Sequence, residues 1–580
     1  PLVFILVTAV MASLALPLGP LLRSMPPLRA YAWDIGGSML GIVSFVVLSA
    51  AGTVPSLWFA VLAILIILLS AGTGLSWRRV PSLAALILVI WLARTGTAEI
   101  WSPYYRIEKY LGGNGHVYVN VNGIPHQALH PVNSDKEPFY DQLYKWFPGR
   151  TYQNVLIVGA GSGTDVAIAL SHGAGHIDAV EIDPKIQQLG IDQHPDHPYQ
   201  DPRVTRYIND GRAFLRSTDQ KYDLVIFALP DSLTLVSSTA NIRLESFLFT
   251  QEAFQSVRDH LAPDGMFVLY NYYRQSWLET KIGNMLQSAF GTPPIARTFQ
   301  ATMAIFADGP GIAALNGAGP PGDTVDAIPN DPGPTPKAAT DDWPFLYLRT
   351  PFIADYYIVA LLLILGFAIV SVAGAARLTG TSVRRFSPHF FVLGVAFLLL
   401  ETRSLVSFSL LFGSTWLVNA LAFFAILASV LFAILVNARL KLQRPLLLYG
   451  ALFVALAVAF LIPPEQLLID PAWLRYTLAA VLAFAPVFFA NLVFTYSFRD
   501  TRTADMAFAS NLLGAMVGGA LEYVALLTGY RDLLLIVAAL YALAWLFANR
   551  WRRLSDRDLA LDATDPDGEP PNVELPATAG

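Results

Sequence analysis

The 580-residue chain contains no cysteine. Disulfides, zinc–thiolate sites, iron–sulfur clusters and a cysteine nucleophile are excluded together. Charge is scarce as well. Asp, Glu, Lys and Arg make up 14% of the residues, against ~25% in ordinary soluble domains. That shortage excludes a purely water-soluble enzyme and a disordered scaffold. The 9 histidines show no paired ligand spacing, so no metal site is expected. A net charge of −5 offers nothing to a phosphate backbone, and nucleic acid is not an expected partner. What the chain has in quantity is apolar: 54% of its residues. It opens at Pro1 rather than Met, so further sequence upstream is expected.

The apolar residues are gathered into runs. Runs of about 18 or more read as membrane helices. Four are expected before residue 100: Leu2–Leu22, Ala30–Ala51, Pro55–Ala71 and Val80–Ala93. The fourth is short, and Arg94 would have to snorkel. Seven more follow residue 350: Phe352–Ala373, Phe390–Phe412, Trp416–Val436, Leu446–Ile462, Leu474–Phe498, Met506–Leu527 and Leu533–Phe547. Between the bundles lies a stretch of ordinary polarity, long enough for a domain. The expected division is a membrane bundle over 1–97, a soluble domain over 98–307, a Pro/Gly-rich linker with a Asp-Asp-Trp-Pro segment over 308–350, a second bundle over 351–550 and a disordered acidic tail over 551–580.

Basic residues alternate between loops. Arg23/Arg29, Arg78/Arg79, Arg377/Arg384/Arg385, Arg439/Lys441/Arg444, Arg499/Arg502 and Arg550/Arg552/Arg553 form one set. The intervening loops hold Arg475 and Arg531 beside Glu465, Asp470 and Asp532. The positive-inside rule puts the first set, and the C-terminus, in the cytoplasm and the soluble domain outside. The expected location is a bacterial inner or plasma membrane.

The soluble domain carries the chemistry. Asn154–Val158 reads as a buried strand running into Gly159-Ala-Gly161-Ser162-Gly163-Thr-Asp, with an apolar helix after it. Glycines there let the backbone turn tightly and approach a ligand, which then faces free N–H groups of the helix. A second strand, Ile177–Val180, ends in Glu181-Ile-Asp183. An acid at that point can accept hydrogen bonds from a ribose diol. A third element ends in Asn209-Asp210-Gly211, a fourth strand is Asp223–Phe227, leading to Asp231, and a fifth is Met266–Tyr270. Strands alternating with helices predict a doubly wound, mainly parallel sheet. The fold expected is an α-helical polytopic membrane protein with an inserted Rossmann-like α/β domain. The glycine spacing differs from that of NAD sites, which favours an adenosylmethionine-type ligand.

From Lys136 to Ala289 the sequence resembles spermidine synthases, aminopropyltransferases with a methyltransferase-like fold. The matching pieces are Glu137-Pro-Phe-Tyr140, NVLIVGAGSG, AVEID, the DPRV of Asp201–Val204, NDGRAFL and YDLVIF. Flanked by membrane bundles, the chain is similar to bacterial multi-spanning proteins of that kind. Trp101-Ser-Pro-Tyr-Tyr, VNGIPHQA (Val121–Ala128), DDWPFLYL (Asp341–Leu348) and NLLGAMVGGALEY (Asn511–Tyr523) fit the same subgroup. The resemblance implies S-adenosylmethionine or decarboxylated S-adenosylmethionine as donor. It assigns the ribose to Glu181, with Asp183 beside it, the adenine edge to Asp210 and Gly211, and the sulfonium side to Gly159, Gly161, Ser162 and Gly163. Asp231, Tyr140 and Asp141 become catalytic candidates; Gln142, Arg243 and Glu245 become candidates for the acceptor.

Three family acids are neutral here. Ser162 stands where the family's Gly-Gly-Gly-Asp-Gly-Gly has Asp, Ala228 replaces the first Asp of Asp-x-x-Asp, and Gln142 replaces the Glu of Tyr-x-Glu. An acid at 162 would repel a methionine carboxylate, so Ser162 fits intact S-adenosylmethionine and methyl transfer. The expected function is a membrane-embedded transferase moving an aminopropyl or methyl group to an amine or amphipathic acceptor. The alternative is a transporter or sensor whose Rossmann domain binds a nucleoside or polyamine without catalysis. Expected partners are the lipid bilayer and the small-molecule acceptor, with a homodimer left open. Within the bundle, Glu401, Arg403 and Glu522 are costly intramembrane charges that read either as a polar path or as internal pairing. Gly514 and Gly518 have the small-xxx-small spacing of a close helix crossing.

Overall fold

The computed structural model describes residues 24–71, 99–113, 115–229, 246–273, 275–299, 303–313, 325–329, 331–378, 386–440, 442–462, 472–499, 501 and 504–562, with isolated positions at 7–21 and 87–91. The expected helices at 2–22 and 80–93 lie mostly outside the described residues. So do Asp231, Arg243 and Glu245.

Two sheets build the soluble part. The first is an antiparallel meander of β1 (Glu99–Trp101), β2 (Arg106–Leu111), β3 (Val117–Val121) and β4 (Ile124–Leu129). Asn122 and Gly123 turn β3 into β4 with φ of 52° and 81°. This is the backbone an Asn-Gly hairpin supplies. Ile107, Val119, Val121 and Leu129 pack on Ile186 and Leu189, two residues of α5 in the second unit. That unit runs α3 (Phe139–Trp146), β5 (Asn154–Val158), α4 (Thr164–Ser171), β6 (His176–Glu181), α5 (Pro184–Gln193), β7 (Val204–Ile208), α6 (Gly211–Ser217), β8 (Tyr222–Ala228), α7 (Gln251–His260), β9 (Leu261–Tyr272), α8 (Ser276–Phe290), β10 (Ile295–Phe299) and β11 (Met303–Asp308).

The seven strands lie in the order β10-β11-β9-β8-β5-β6-β7. Five are parallel; β11 and β10 add an antiparallel edge. The central strands are buried on both faces, as a sheet covered on both sides requires. Leu156, Val158, Val225 and Phe227 point to one core, with Phe254 of α7 and Ile282 of α8. Val155, Ile157, Leu224 and Ile226 point to the other, with Phe139 and Val166. The chain starts at β5, adds β6 and β7 on one side, and crosses to β8 and β9 on the other. The gap beyond the carboxyl ends of β5 and β8 is therefore the switch point, where such sheets bind ligands.

The helical part contains α1 (Pro27–Ala50), α2 (Pro55–Ala71), α9 (Asp355–Leu378), α10 (Pro388–Phe412), α11 (Trp416–Leu440), α12 (Pro445–Leu461), α13 (Ala472–Arg499), α14 (Ala504–Leu521) and α15 (Leu533–Asp562). Among the described residues six helices are long and apolar enough to cross a membrane, and three more are apolar but shorter. α2 has the bounds read from the sequence; most others differ by a few residues. α15 differs most. It continues through Ser555 to Asp562, where the sequence reading placed a disordered tail. α10 is the central helix, and 67% of its most apolar stretch is buried. α14 crosses it so closely that a Cβ on Gly514 would collide with the Phe391 backbone, and Asn511 Nδ2 donates to the Phe390 carbonyl at 3.2 Å.

The soluble domain sits on one end of this bundle. Phe247 joins Val406, Leu410, Ala525, Tyr530 and Leu533 in one apolar cluster, and Trp343 joins Leu348 and Leu526 in another. Arg216 donates to the Leu410 carbonyl, Trp416 N donates to Tyr104 Oη at 3.2 Å, and Trp343 Nε1 donates to the Leu526 carbonyl at 2.8 Å. Arg29, Arg377, Arg439, Arg444 and Arg499 lie at the opposite helix ends. The stretch expected to be a linker is bound to the domain where it is described: Asp326 pairs with Ala296, and Ser276 Oγ donates to Asp331 at 2.7 Å.

Candidate nucleoside site

A cavity opens at the switch point between β5 and β8. Its lining includes Val158, Gly159, Ala160, Gly161, Thr164 and Asp165 from the glycine loop, and Val180, Glu181 and Ile182 from the end of β6. Asn209, Asp210 and Gly211 follow β7; Ala228 and Leu229 follow β8; Tyr140 and Leu248 complete that side. Tyr105, His126 and Gln127 of the small sheet close the top.

Glu181 is the hub. Gly161 N donates to its Oε2 at 2.8 Å and Asp183 N to its Oε1 at 2.9 Å. One carboxyl thereby ties the glycine loop to the β6 turn. The Ile182 backbone N–H also acts on this carboxyl, and the acceptor capacity of a carboxylate leaves room for a ligand hydroxyl. Burial pushes the carboxyl up to about 7, with its backbone donors opposing the shift.

The glycine loop is held from above by β4. Ser162 N and Oγ both donate to Gln127 Oε1, at 3.1 and 2.9 Å. Gly161 has φ +55°, and a Cβ there would lie 2.6 Å from that oxygen. A side chain there would displace the Gln127 amide from Ser162, and the left-handed φ favours glycine. Gln127 Nε2 is buried with no hydrogen-bond partner. An orphaned donor beside a cavity is costly unless a ligand satisfies it. From below, Tyr199 Oη donates to the carbonyls of Ala160 and Gly161 at 3.1 and 2.8 Å.

Asp210 caps α6, accepting from Ala213 N at 2.8 Å. Its carboxyl also takes the Ser414 N–H, from the loop between α10 and α11. Burial raises its pKa, against those backbone donors. A Cβ on Gly413 would sit 2.9 Å from the Ala213 Cβ and 3.0 Å from the Asp210 Cβ. The bundle therefore touches the residue that frames one wall of the cavity.

Of the residues expected from sequence, Gly159, Gly161, Glu181, Asp210, Gly211 and Tyr140 line the cavity. Ser162 is buried and turned onto Gln127. Asp183 faces elsewhere: it accepts from Lys185 N and Ile186 N as the cap of α5, and from Ser102 Oγ at 2.5 Å. Its place is to fix the β6–α5 turn. Gly163 caps α4 with φ +99°. Asp141 and Gln142 lie in α3 outside the cavity lining, with Gln142 buried. In the bundle, Thr402 Oγ1 donates to Glu522 at 3.2 Å. Arg403 lines a separate cavity with Ser404, Ser407 and Pro486, and Glu401 lines neither cavity.

Among the lining residues that the sequence did not single out as site candidates are Tyr105, His126, Gln127 and Asp165. The first three stand in the Trp101–Tyr105 and Val121–Ala128 stretches, whose Asn-Gly turn was a readable hairpin signal. Burial pushes His126 down to about 4, so it faces the cavity uncharged at neutral pH. Asp165 stands in the first turn of α4.

A glycine loop, an acid ending the second parallel strand and an Asp-Gly after the third, gathered round one switch-point cavity, are the arrangement of a Rossmann-like domain. The spermine/spermidine synthase domain profile matches residues 138–312. A polyamine aminopropyltransferase of Clostridium perfringens is 30% identical over 220 residues, 36% of this chain and 71% of the relative. Its counterpart in Alkaliphilus metalliredigens is 30% identical over 164 residues. There the match covers 27% of this chain and about half, 54%, of the relative. The crystal structure of spermidine synthase from Thermotoga maritima aligns at 18% identity with a TM-score of 0.30, over 44% of this chain and 83% of that one. The chain belongs to the spermine/spermidine synthase family, and carries its domain next to several long apolar helices.

Proposed function

We propose that the chain is a membrane-embedded transferase that uses an adenosylmethionine-type donor and passes an aminopropyl or methyl group to an amine or amphipathic acceptor. The observation that carries this reading is the position of Glu181, at the end of the second parallel strand, inside the cavity and hydrogen-bonded to the glycine loop. In this reading a ribose hydroxyl donates to Glu181. Asn209 and Asp210 meet the adenine edge. The glycine loop lies beneath the sulfonium, and the Gln127 amide finds its missing acceptor on the ligand. Tyr140 stands on the acceptor side.

The family relation supports transfer chemistry, since the relatives are aminopropyltransferases. A second reading, a sensor or transporter in which donor occupancy is passed to the helices, draws on one observation: Ser414 and Gly413 of the bundle touch Asp210. Calorimetric titration of the purified full chain with 5′-methylthioadenosine tests what the readings share, and no binding overturns both. Turnover of a labelled donor with an amine separates them.

The domain rests on the helix ends away from Arg29, Arg377, Arg439, Arg444 and Arg499. By the positive-inside rule those arginines face the cytoplasm, and the reading places the domain on the outer side.

A further inference from the structure

Ser162, at the position of the family acid, does not face the ligand; its hydroxyl is spent on Gln127. Asp165 does face it. It stands three residues on, in the first turn of α4. Its side chain lines the nucleoside cavity and also a smaller one beside it, bounded by Phe139, Tyr140, Tyr144 and Tyr270. Tyr270 Oη donates to the Asp165 carboxyl. Phe139 stacks on Tyr270 at 4.7 Å, and Tyr140 meets Tyr270 edge-on at 5.9 Å. Among the described residues the cavity lining has no lysine or arginine.

From this arrangement we infer that Asp165 is the specificity-determining residue of the donor site: its carboxylate binds the ammonium of a donor tail that has no carboxylate of its own. The inference rests on the nucleoside reading above and narrows it to one donor class. A buried carboxylate against tyrosine and phenylalanine rings suits an alkylammonium, because the acid supplies the counter-charge and the ring faces favour a cation. The same acid repels the carboxylate of a methionine tail, and no lining cation offsets that repulsion. The acid missing at 162 is thus restored from the helix rather than from the loop. The donor is the aminopropyl type, against the expectation drawn from Ser162 alone. Burial lifts the Asp165 carboxyl up to about 7, the direction expected of an acid whose cation arrives with the ligand.

Three ligands test the inference on the full-length protein in detergent, at pH 8: 5′-methylthioadenosine, which lacks the tail, S-adenosylmethionine, and its decarboxylated form. In the unaltered protein the decarboxylated donor is expected to bind roughly 10- to 100-fold more tightly than 5′-methylthioadenosine, and S-adenosylmethionine no more tightly than it. Asp165→Asn should erase that preference and leave 5′-methylthioadenosine affinity within about twofold. Equal affinity of the unaltered protein for both sulfonium donors overturns the inference. So does a preference that survives in Asp165→Asn. The comparison of donors needs no variant, so a misfolded Asp165→Asn leaves the test intact. Binding of none of the three defeats the nucleoside reading itself.

Discussion

Asp341 grips Arg212 with both carboxylate oxygens, Oδ2 accepting from Nη2 at 2.6 Å and Oδ1 from Nη1, while its neighbour Asp342 turns the other way and accepts from Arg531 N at 2.7 Å. The two adjacent acids face different bodies. Asp341 belongs to the soluble domain, where Thr250 Oγ1 also donates to it at 2.7 Å. Asp342 belongs to the bundle, and its carbonyl takes Tyr530 N at 2.9 Å. Trp343 then reaches Leu526. The Asp-Asp-Trp run is a clasp between the Rossmann-like domain and the apolar helices.

Asp341→Asn should destabilise the soluble domain strongly. Arg212 and Asp341 expose only 5% and 4% of their side chains. Removing one partner of such a pair leaves a buried charge uncompensated, at a cost of about 3–5 kcal/mol. Asp342→Asn should leave the domain's own stability unchanged and loosen its seat on the bundle. Heat unfolding in detergent, followed by limited proteolysis of the 308–350 segment, distinguishes the two variants.

Glu181→Ala should weaken nucleoside binding and leave the fold standing. A hydroxyl bond to a charged acceptor is worth ~1.5–3 kcal/mol, so affinity for 5′-methylthioadenosine should fall at least about 10-fold. Circular dichroism checks the fold and calorimetry checks the affinity. Unchanged affinity would remove Glu181 from the site.

Donor affinity should rise with pH across neutrality. Burial holds the Glu181 and Asp165 carboxyls up at about 7, well above their ordinary values. The ligand's hydroxyl and ammonium bind the ionised forms, so affinity is weak at pH 5.5, climbs through pH 7 and levels off above pH 8. The ligand-free protein runs the opposite way. Its folded state holds these protons more tightly than the unfolded chain, so stability falls as pH rises from about 4.5 to 7. Titrations and melting curves on one pH series test both signs. 5′-Methylthioadenosine should show the Glu181 dependence alone.

Gln220→Cys gives the chain a single thiol, at an exposed position before β8. A membrane-impermeant maleimide should label it in intact cells, because the domain sits at the arginine-poor end of the bundle. Labelling only after lysis would reverse the orientation. The site would then share the compartment in which the donor is made, and the positive-inside argument would fail for this bundle.

The parts of this architecture that follow from local sequence were legible. Pro55–Ala71 is a helix because seventeen residues carry no charge and start at proline. Gly161 and Glu181 were legible because strand, tight turn and helix are contiguous in the chain. Asp183 reads as a site residue in the sequence because a carboxylate two residues past Glu181 that meets a ligand and one that caps Pro184–Gln193 look alike until the backbone is placed. Gln127 was missed because its partner Ser162 is 35 residues away, and pairing over such a distance leaves no periodic trace. Asp165 was passed over because the family pattern directed attention to Ser162. The antiparallel edge of β10 and β11 follows from the register Met303↔Tyr272 and Phe299↔Met303, which no single strand announces.

If the cavity holds the proposed donor and the helices lie in a bilayer, the wall that Gly413 and Ser414 share with Asp210 links the two. Any agent that shifts α10 against α11, whether bilayer thickness, lateral pressure or a lipid wedged between the helices, must change donor affinity if it moves that loop. Thermodynamic reciprocity then requires the bound donor to bias the same helices by an equal free energy. In the proposed reading, the response to a small-molecule ligand then depends on the surrounding membrane as well as on the site.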